Sequence, residues 1–279
     1  MDWPFRTFET EARLAGDEIS PFRAGLLFAR EIAHPGLNPA DAEAELAQMA
    51  AAIAPHLAAE RDLSGKTAAL GEYFFDQLGF GGNHADYYDP ANSFLDDVLK
   101  TRRGIPISLA VLYMELARRA GVMAAGIGLP GHFIVGVGER PGETRLLLDP
   151  FNSGAPLSER DCQRLVEQST GYSGPLQAEW LRPAAPRAIV ARMLHNLRGL
   201  YARREEWKPA AESVRCLRAL EPEVPDHARD LGLLLYRDGQ LRDAILMLEE
   251  YLAGKPDAPD FEQVRYSLSL LAGHLGRLN

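Results

Sequence analysis

Residues 104–121 read GIPISLAVLYMELARRAG. Ile107, Leu109, Ala110, Val111, Leu112, Met114, Leu116 and Ala117 put apolar groups around nearly the whole circumference of a helix. Such a helix belongs in the middle of a domain, not on its surface. Pro106 suits the first helical turn, Arg118 and Arg119 suit the last, and Gly121 is placed to end it. Two strands are expected next, AAGIGLPGHFIVGVG (124–138) and RLLLDPF (145–151), parted by RPGET with its Pro-Gly turn.

Upstream the chain reads as helices. Ser20-Pro21 starts FRAGLLFAREIA, and Asn38-Pro39 starts ADAEAELAQMAAAIA, which Pro55 is expected to kink or end. A third helix is expected from about Thr67 to Leu78, stopping at Gly79. GFGGNHADYYDPANS (79–93) is loop-like and long for a connector. Ser93 with Asp96 three residues on predicts a capped helix ending near Arg103-Gly104. Ser158 with Asp161 predicts another, carrying Cys162. YSGPLQAEWLRPAAPR (172–187) reads as a linker, whose Trp180 and Leu181 would anchor a domain interface.

From about Ala188 the pattern is helical and repeats. A shift of 34 residues pairs Leu197 with Leu231, Leu200 with Leu234, Ala210 with Ala244, and Glu221-Pro222 with Lys255-Pro256. That period is the tetratricopeptide one. The first unit keeps Tyr201 and Trp207, and a last helix over about 260–275 would cap the stack. The expectation is an α+β domain over 1–185, with a helical N-terminal lobe and a small antiparallel sheet, then an all-α repeat domain over 186–279.

The 279 residues fit two domains, and 46% hydrophobic with 25% charged residues is a globular composition. The net charge of −9 argues against nucleic acid and anionic membrane as partners. No apolar run reaches transmembrane length, and the acidic start has no signal-peptide core. Two cysteines, Cys162 and Cys216, fit a reducing compartment, so a cytoplasmic protein is expected.

A buried helix entered through Gly104, a strand bearing His132 and a strand ending in Asp149 follow in the order of a papain-like thiol enzyme. There a helix N-terminus favours a thiolate, a His deprotonates it and an acid orients the His. GFGGNHADYYDPANSFLDDVLKTRRGIPISLAVLY, GLPGHFIVGV and LLLDPFNSG together resemble the bacterial SirB-type family. Its members resemble transglutaminases over the first domain and carry tetratricopeptide repeats after it. The resemblance to true transglutaminases is more distant. It implies a nucleophilic Cys twelve residues before an Arg and fifteen before a Gly; counting back from Arg118 and Gly121 lands on Pro106. His132 and Asp149 match the family's His and Asp, but proline offers no nucleophile.

Ser108 is the candidate substitute, yet two residues on a helix is a rotation of roughly 200°. Its alternative role is a hydroxyl bonded to backbone at the helix start. His132 and Asp149 either tie two strands together or meet a ligand beside Gly131. Arg102 and Arg103 either end a helix or receive an acidic peptide. Tyr87 and Tyr88 either line a cleft or cover the core. His84, Asp86 and Asp89 lack a recognised metal-ligand spacing, so no metal and no cofactor are assigned. The expectation is a non-catalytic protein or peptide interaction module, using the repeats and the His132 cleft. Its rivals are an amide-cleaving or acyl-transfer enzyme with an unidentified nucleophile, and a small-molecule sensor.

Overall fold

The computed structural model describes residues 6–14 and 18–278, with side chains through 273. Residues 1–5, which open the segment tested above for a signal peptide, lie outside it. The helices are α1 (Phe8–Ala12), α2 (Pro21–Ile32), α3 (Pro39–Ala59), α4 (Leu63–Gly71), α5 (Leu95–Thr101), α6 (Pro106–Arg119), α7 (Glu159–Thr170), α8 (Pro186–Arg203), α9 (Trp207–Leu220), α10 (Asp226–Arg237), α11 (Leu241–Gly254) and α12 (Phe261–Leu278). The strands are β1 (Gly81–Gly82), β2 (Arg103–Gly104), β3 (Met123–Ile127), β4 (Ile134–Gly138), β5 (Leu146–Asp149) and β6 (Ala155–Leu157). β1 and β2 pair in parallel, and β3 to β6 form an antiparallel meander. Among the described residues no helix is long and apolar enough to cross a membrane.

α6 organises the first part. Leu109, Ala110, Leu112, Tyr113, Leu116 and Ala117 are all fully buried. They share one cluster with α2, α3, α5 and the inner face of the sheet, represented by Phe133, Val135, Val137 and Leu148. The outer face carries Ile127, Leu129 and Ile134 and is closed by Cys162 and Val166 of α7.

Four local expectations change. α3 runs through Pro55 to Ala59, because Pro55 and Ala51 face solvent while Ile53 and Leu57 hold the last turns in the core. The helix expected from Thr67 starts at Leu63, since the Asp62 carboxylate accepts the Gly65 N–H, and it widens into a π-helix over Glu72–Gln77. That widened turn stacks Phe74 on Phe80 and Phe75 on Tyr113. Ser93 caps nothing: it is buried in the 3₁₀ turn Pro90–Ser93, and Asp96 instead meets His34 and Lys100. The first expected strand is split by Pro130-Gly131 into β3 and β4, with Gly131 at φ +73°.

The segment read as a linker is fixed to the sheet. Trp180 and Leu181 pack on its outer face rather than at a domain interface, and Pro183 pairs with Ile127. α8 and α9 are joined to the N-terminal helices instead. Ile189, Val190, Leu194, Leu197, Leu217 and Leu220 belong to the same cluster as Phe8, Phe22 and Leu26. Arg187 donates to the carbonyls of Ala12, Leu14 and Leu220. In the following helix pair, Gly232 admits Leu248, whose Cγ would lie 2.8 Å from an added Cβ.

A fragment of residues 186–279 therefore exposes the apolar sides of α8 and α9. It is expected to bind a hydrophobic dye and to lack a cooperative thermal transition at the full chain's midpoint. A transition at that same temperature would show that the packing against α1 and α2 contributes nothing.

Candidate functional site

Asp149 ends β5 and caps the 3₁₀ turn Pro150–Asn152. Its Oδ1 accepts the N–H groups of Phe151 at 3.0 Å and Asn152 at 3.4 Å. Its Oδ2 accepts Asn152 Nδ2 at 2.7 Å and lies 3.0 Å from His132 Nε2. The residue is 1% exposed. Burial pushes its pKa up, but the His132 contact and the Asn152 donors outweigh burial and hold the carboxyl below its ordinary value. An ionised carboxylate only accepts, so it holds the His132 proton on Nε2 and leaves Nδ1 as the ring's acceptor.

His132 lies in the turn before β4, not on a strand, because Gly131 must bend the chain there. An added Cβ on Gly131 would also meet Ser169 at the end of α7, 2.4 Å away. The turn is held from α8. Arg192 of α8 donates Nη2 to the carbonyls of Leu129 at 3.0 Å and His132 at 2.7 Å, with its guanidinium over the Phe133 ring.

An aromatic wall adjoins the pair. The Phe151 ring meets His84 at 4.5 Å, Tyr87 at 5.7 Å and His132 at 6.4 Å between centroids. Gly82 makes this possible, since a Cβ there would come within 2.6 Å of the Phe151 ring. Tyr87 packs edge-on against Tyr88, and Arg203 of α8 lies over the Tyr88 ring. Both tyrosines stay exposed. The Tyr87 hydroxyl is pushed up, first by burial and then by Tyr88.

Other candidates fall elsewhere. Pro106 is the buried first residue of α6. Ser108 has its hydroxyl committed to backbone. It is fully buried, its hydroxyl donates to the Asn92 carbonyl at 2.6 Å, and it accepts the Ile105 N–H at 3.1 Å. Arg102 turns away from the cleft, because its left-handed backbone, φ 60°, lays the guanidinium on Phe80 and against Glu45. Arg103 is exposed and donates to the Gly79 carbonyl. Cys162 is buried, which pushes its thiol up to about 11, and burial likewise raises Cys216.

His84, Asp86 and Asp89 do not assemble a ligand set. Among the described residues the group with that geometry is His34, Asp96 and Asp97, where the Lys100 ammonium already bonds both carboxylates. Sequence reasoning missed Phe151, Asn152, Arg192 and Arg203. Asn152, three residues after Asp149, carried a local signal in its turn spacing. Arg192, sixty residues from the carbonyl it bonds, carried none.

Two outcomes are expected. Asp149, held below its ordinary pKa, contributes stability above the unfolded value, and that contribution is lost as pH falls through the folded value. Below about pH 4 the thermal midpoint of the wild type should drop more steeply than that of Asp149→Asn; parallel curves would refute a stabilised carboxylate. Ser108→Ala removes the hydroxyl's bonds to the Asn92 carbonyl and the Ile105 N–H while leaving those two bonded to each other at 3.2 Å, and should cost about 0.5–1.5 kcal/mol in denaturant unfolding.

The transglutaminase-like superfamily profile matches residues 40–195, and a tetratricopeptide-repeat profile matches residues 197–269. A UPF0162 protein of Xylella fastidiosa is 38% identical over 203 residues, 72% of each chain. One of Pseudomonas aeruginosa is 32% identical over 221 residues, 79% of each. Human F-box only protein 21 is 35% identical over 106 residues, 36% of this chain and 17% of that protein. No solved structure matches. With more than half its length under the superfamily profile and a UPF0162 relative alike over most of both chains, the protein belongs to the transglutaminase-like superfamily and, within it, to the UPF0162 proteins.

Proposed function

We propose that this chain is a cytoplasmic, SirB-type, non-catalytic member of the superfamily that binds a protein or peptide partner. The cleft beside His132 and the repeat helices would form the binding surface. One observation carries the reading. The helix start that would present a thiol for acyl transfer holds Pro106, the Ser108 hydroxyl is tied to backbone, and Cys162 and Cys216 are buried with raised pKa values. Meanwhile the His132–Asp149 pair keeps its hydrogen bond beside exposed Tyr87 and Tyr88. An aromatic rim with a polar floor suits peptide recognition. Gly131 and Arg103 complete the proposed contacts, and the repeats supply an extended surface.

The rival reading draws on His132 Nδ1. Backed by an ionised Asp149, it is oriented as a base. A base without a covalent partner must activate water directly, which suits slow hydrolysis rather than acyl transfer.

Purified protein given a glutamine-donor peptide and an amine acceptor is expected to show no turnover above background. Turnover abolished by His132→Ala would establish the enzyme reading. Pro106→Cys is expected to install a thiol of depressed pKa, read by the pH profile of iodoacetamide labelling, and His132→Ala should restore an ordinary profile. A thiol indifferent to His132 would sink the assignment of Pro106 to the nucleophile position.

A further inference from the structure

A strip of rings runs from the His132 cleft to the last turn of α8. His132 meets Phe151 at 6.4 Å, Phe151 meets Tyr87 at 5.7 Å, and Tyr87 meets Tyr88 at 5.3 Å between centroids. Arg203 closes the far end, with its guanidinium carbon 5.2 Å from the centre of the Tyr88 ring. Arg192 closes the near end, donating to the His132 carbonyl at 2.7 Å. Both arginines belong to α8, and with Asn196 and Gly199 they fall on one side of it at helical spacing. Asn196 is exposed, and nothing lies within 4 Å of a Cβ added to Gly199. The side of α8 between the two cations is therefore clear.

Most charges around the strip are already matched. Asp149 is bonded to His132, and Asp97 to Lys100 and His34. Arg204 is bonded to Glu206 and faces Asp86 and Asp89 of the loop. His195 lies against His227, toward the next helix pair. Glu205 is exposed in the left-handed turn after α8, outside ion-pair distance of Arg203. Arg192 and Arg203 differ: among the described residues no carboxylate pairs with either. The carbonyls on Arg192 Nη2 satisfy hydrogen-bond donors without cancelling a charge, and its Nη1 is not among the enclosed unpaired nitrogens. Both cations pull on the Tyr87 hydroxyl, so they face a common place.

We propose that the segment bound at the His132 cleft is an acidic stretch of a partner protein, laid across Tyr87 and Tyr88 with one carboxylate on Arg203 and another on Arg192. This deepens the peptide-binding reading and rests on it. A guanidinium fork matches the two oxygens of a carboxylate, and the tyrosine rings cover the chain between the acids. Eleven residues of α8 separate the two arginines, about 16 Å of helix axis, which an extended chain covers in about five residues. The net charge of −9 opposes such a partner only at long range, because salt screens charges beyond about 10 Å. A nucleic acid meets that repulsion at every phosphate along its length, which disfavours it here.

The test offers the full chain two matched pools of short peptides. One carries Asp or Glu at two places about five residues apart, and the other carries Asn or Gln there. The best acidic binder is then measured by fluorescence anisotropy. Its Asn/Gln counterpart should bind about tenfold more weakly, and neutralising either acid alone should also weaken it. Arg203→Glu should weaken the acidic peptide about tenfold, and placing Lys at the facing acid should restore binding to that variant. Arg13→Gln, which removes the same charge from an exposed site in the cap of α1, should leave the affinity unaltered. Amidating the peptide C-terminus should do likewise. Arg203 is exposed and its replacement leaves the core intact, so the test does not depend on Arg192, whose loss also disturbs the His132 turn. Neutral peptides that bind as tightly as acidic ones, and are lost on His132→Ala, would overturn the charge claim while leaving the peptide-binding reading in place. Retention of neither pool would overturn both. An oligonucleotide that displaces the acidic peptide and binds more tightly, or binding abolished by amidation, would overturn the acidic segment as the occupant.

Discussion

A helix that is apolar all the way round has to be covered all the way round, and α6 imposes that demand on everything near it. Its fourteen residues cannot be satisfied by one sheet or one helical layer. The N-terminal helices close one side and the meander closes the other. The start of α6 is fixed just as firmly. Ser108 bonds the Asn92 carbonyl and the Ile105 N–H, so the end of the 79–93 loop is pinned to the first turn of the buried helix. That loop carries His84, Tyr87 and Tyr88, and the aromatic wall of the candidate site is therefore anchored by a hydroxyl that takes no part in it.

Much of this was legible in the sequence because the signals were periodic or local. The circumference of α6, the 34-residue repeat, and the Ser20, Asn38 and Ser158 caps each depend on neighbours within a turn or a fixed period. The His132–Asp149 pair was legible through motif order. The failures share one cause, which is tertiary packing overriding a local rule. Pro55 was expected to kink or end a helix, and α3 does not end there, because Ala51 and Pro55 lie on its exposed side while Leu57 is held in the core. Ser93 and Asp96 had capping-box spacing, but Asp96 was drawn to His34, sixty-two residues away. Arg102 looked like a cleft cation from its place beside Gly104. A left-handed backbone angle, which no pattern in the sequence marks, sends it to Phe80 instead.

Asp149 has a structural duty that does not depend on any nucleophile. Its carboxylate has four donors, and only one of them is His132. The other three build the turn that places Phe151, and Phe151 seats the rings of His84 and Tyr87. Whatever is asked of the imidazole, the demand on Asp149 as a cap stands. The His–Asp geometry is thus not by itself evidence of turnover, since the fold has a separate reason to keep the acid.

Arg192 supplies the remaining step. Burial lowers its pKa, and a buried guanidinium is tolerated only where its donors and its planar face are occupied. The Leu129 and His132 carbonyls and the Phe133 ring meet that requirement, and all three lie on the turn that carries the site. The residue itself belongs to α8, ahead of the residues that the tetratricopeptide-repeat profile matches. Separating α8 from the sheet would strip the cation of its acceptors and leave the turn's carbonyls unpaired, so the two are held together by polar contacts as well as by Ile189 and Leu194 in the common core. α8 is for this reason a wall of the His132 site. A partner bound along α8 and a partner bound in the cleft would touch the same rigid element.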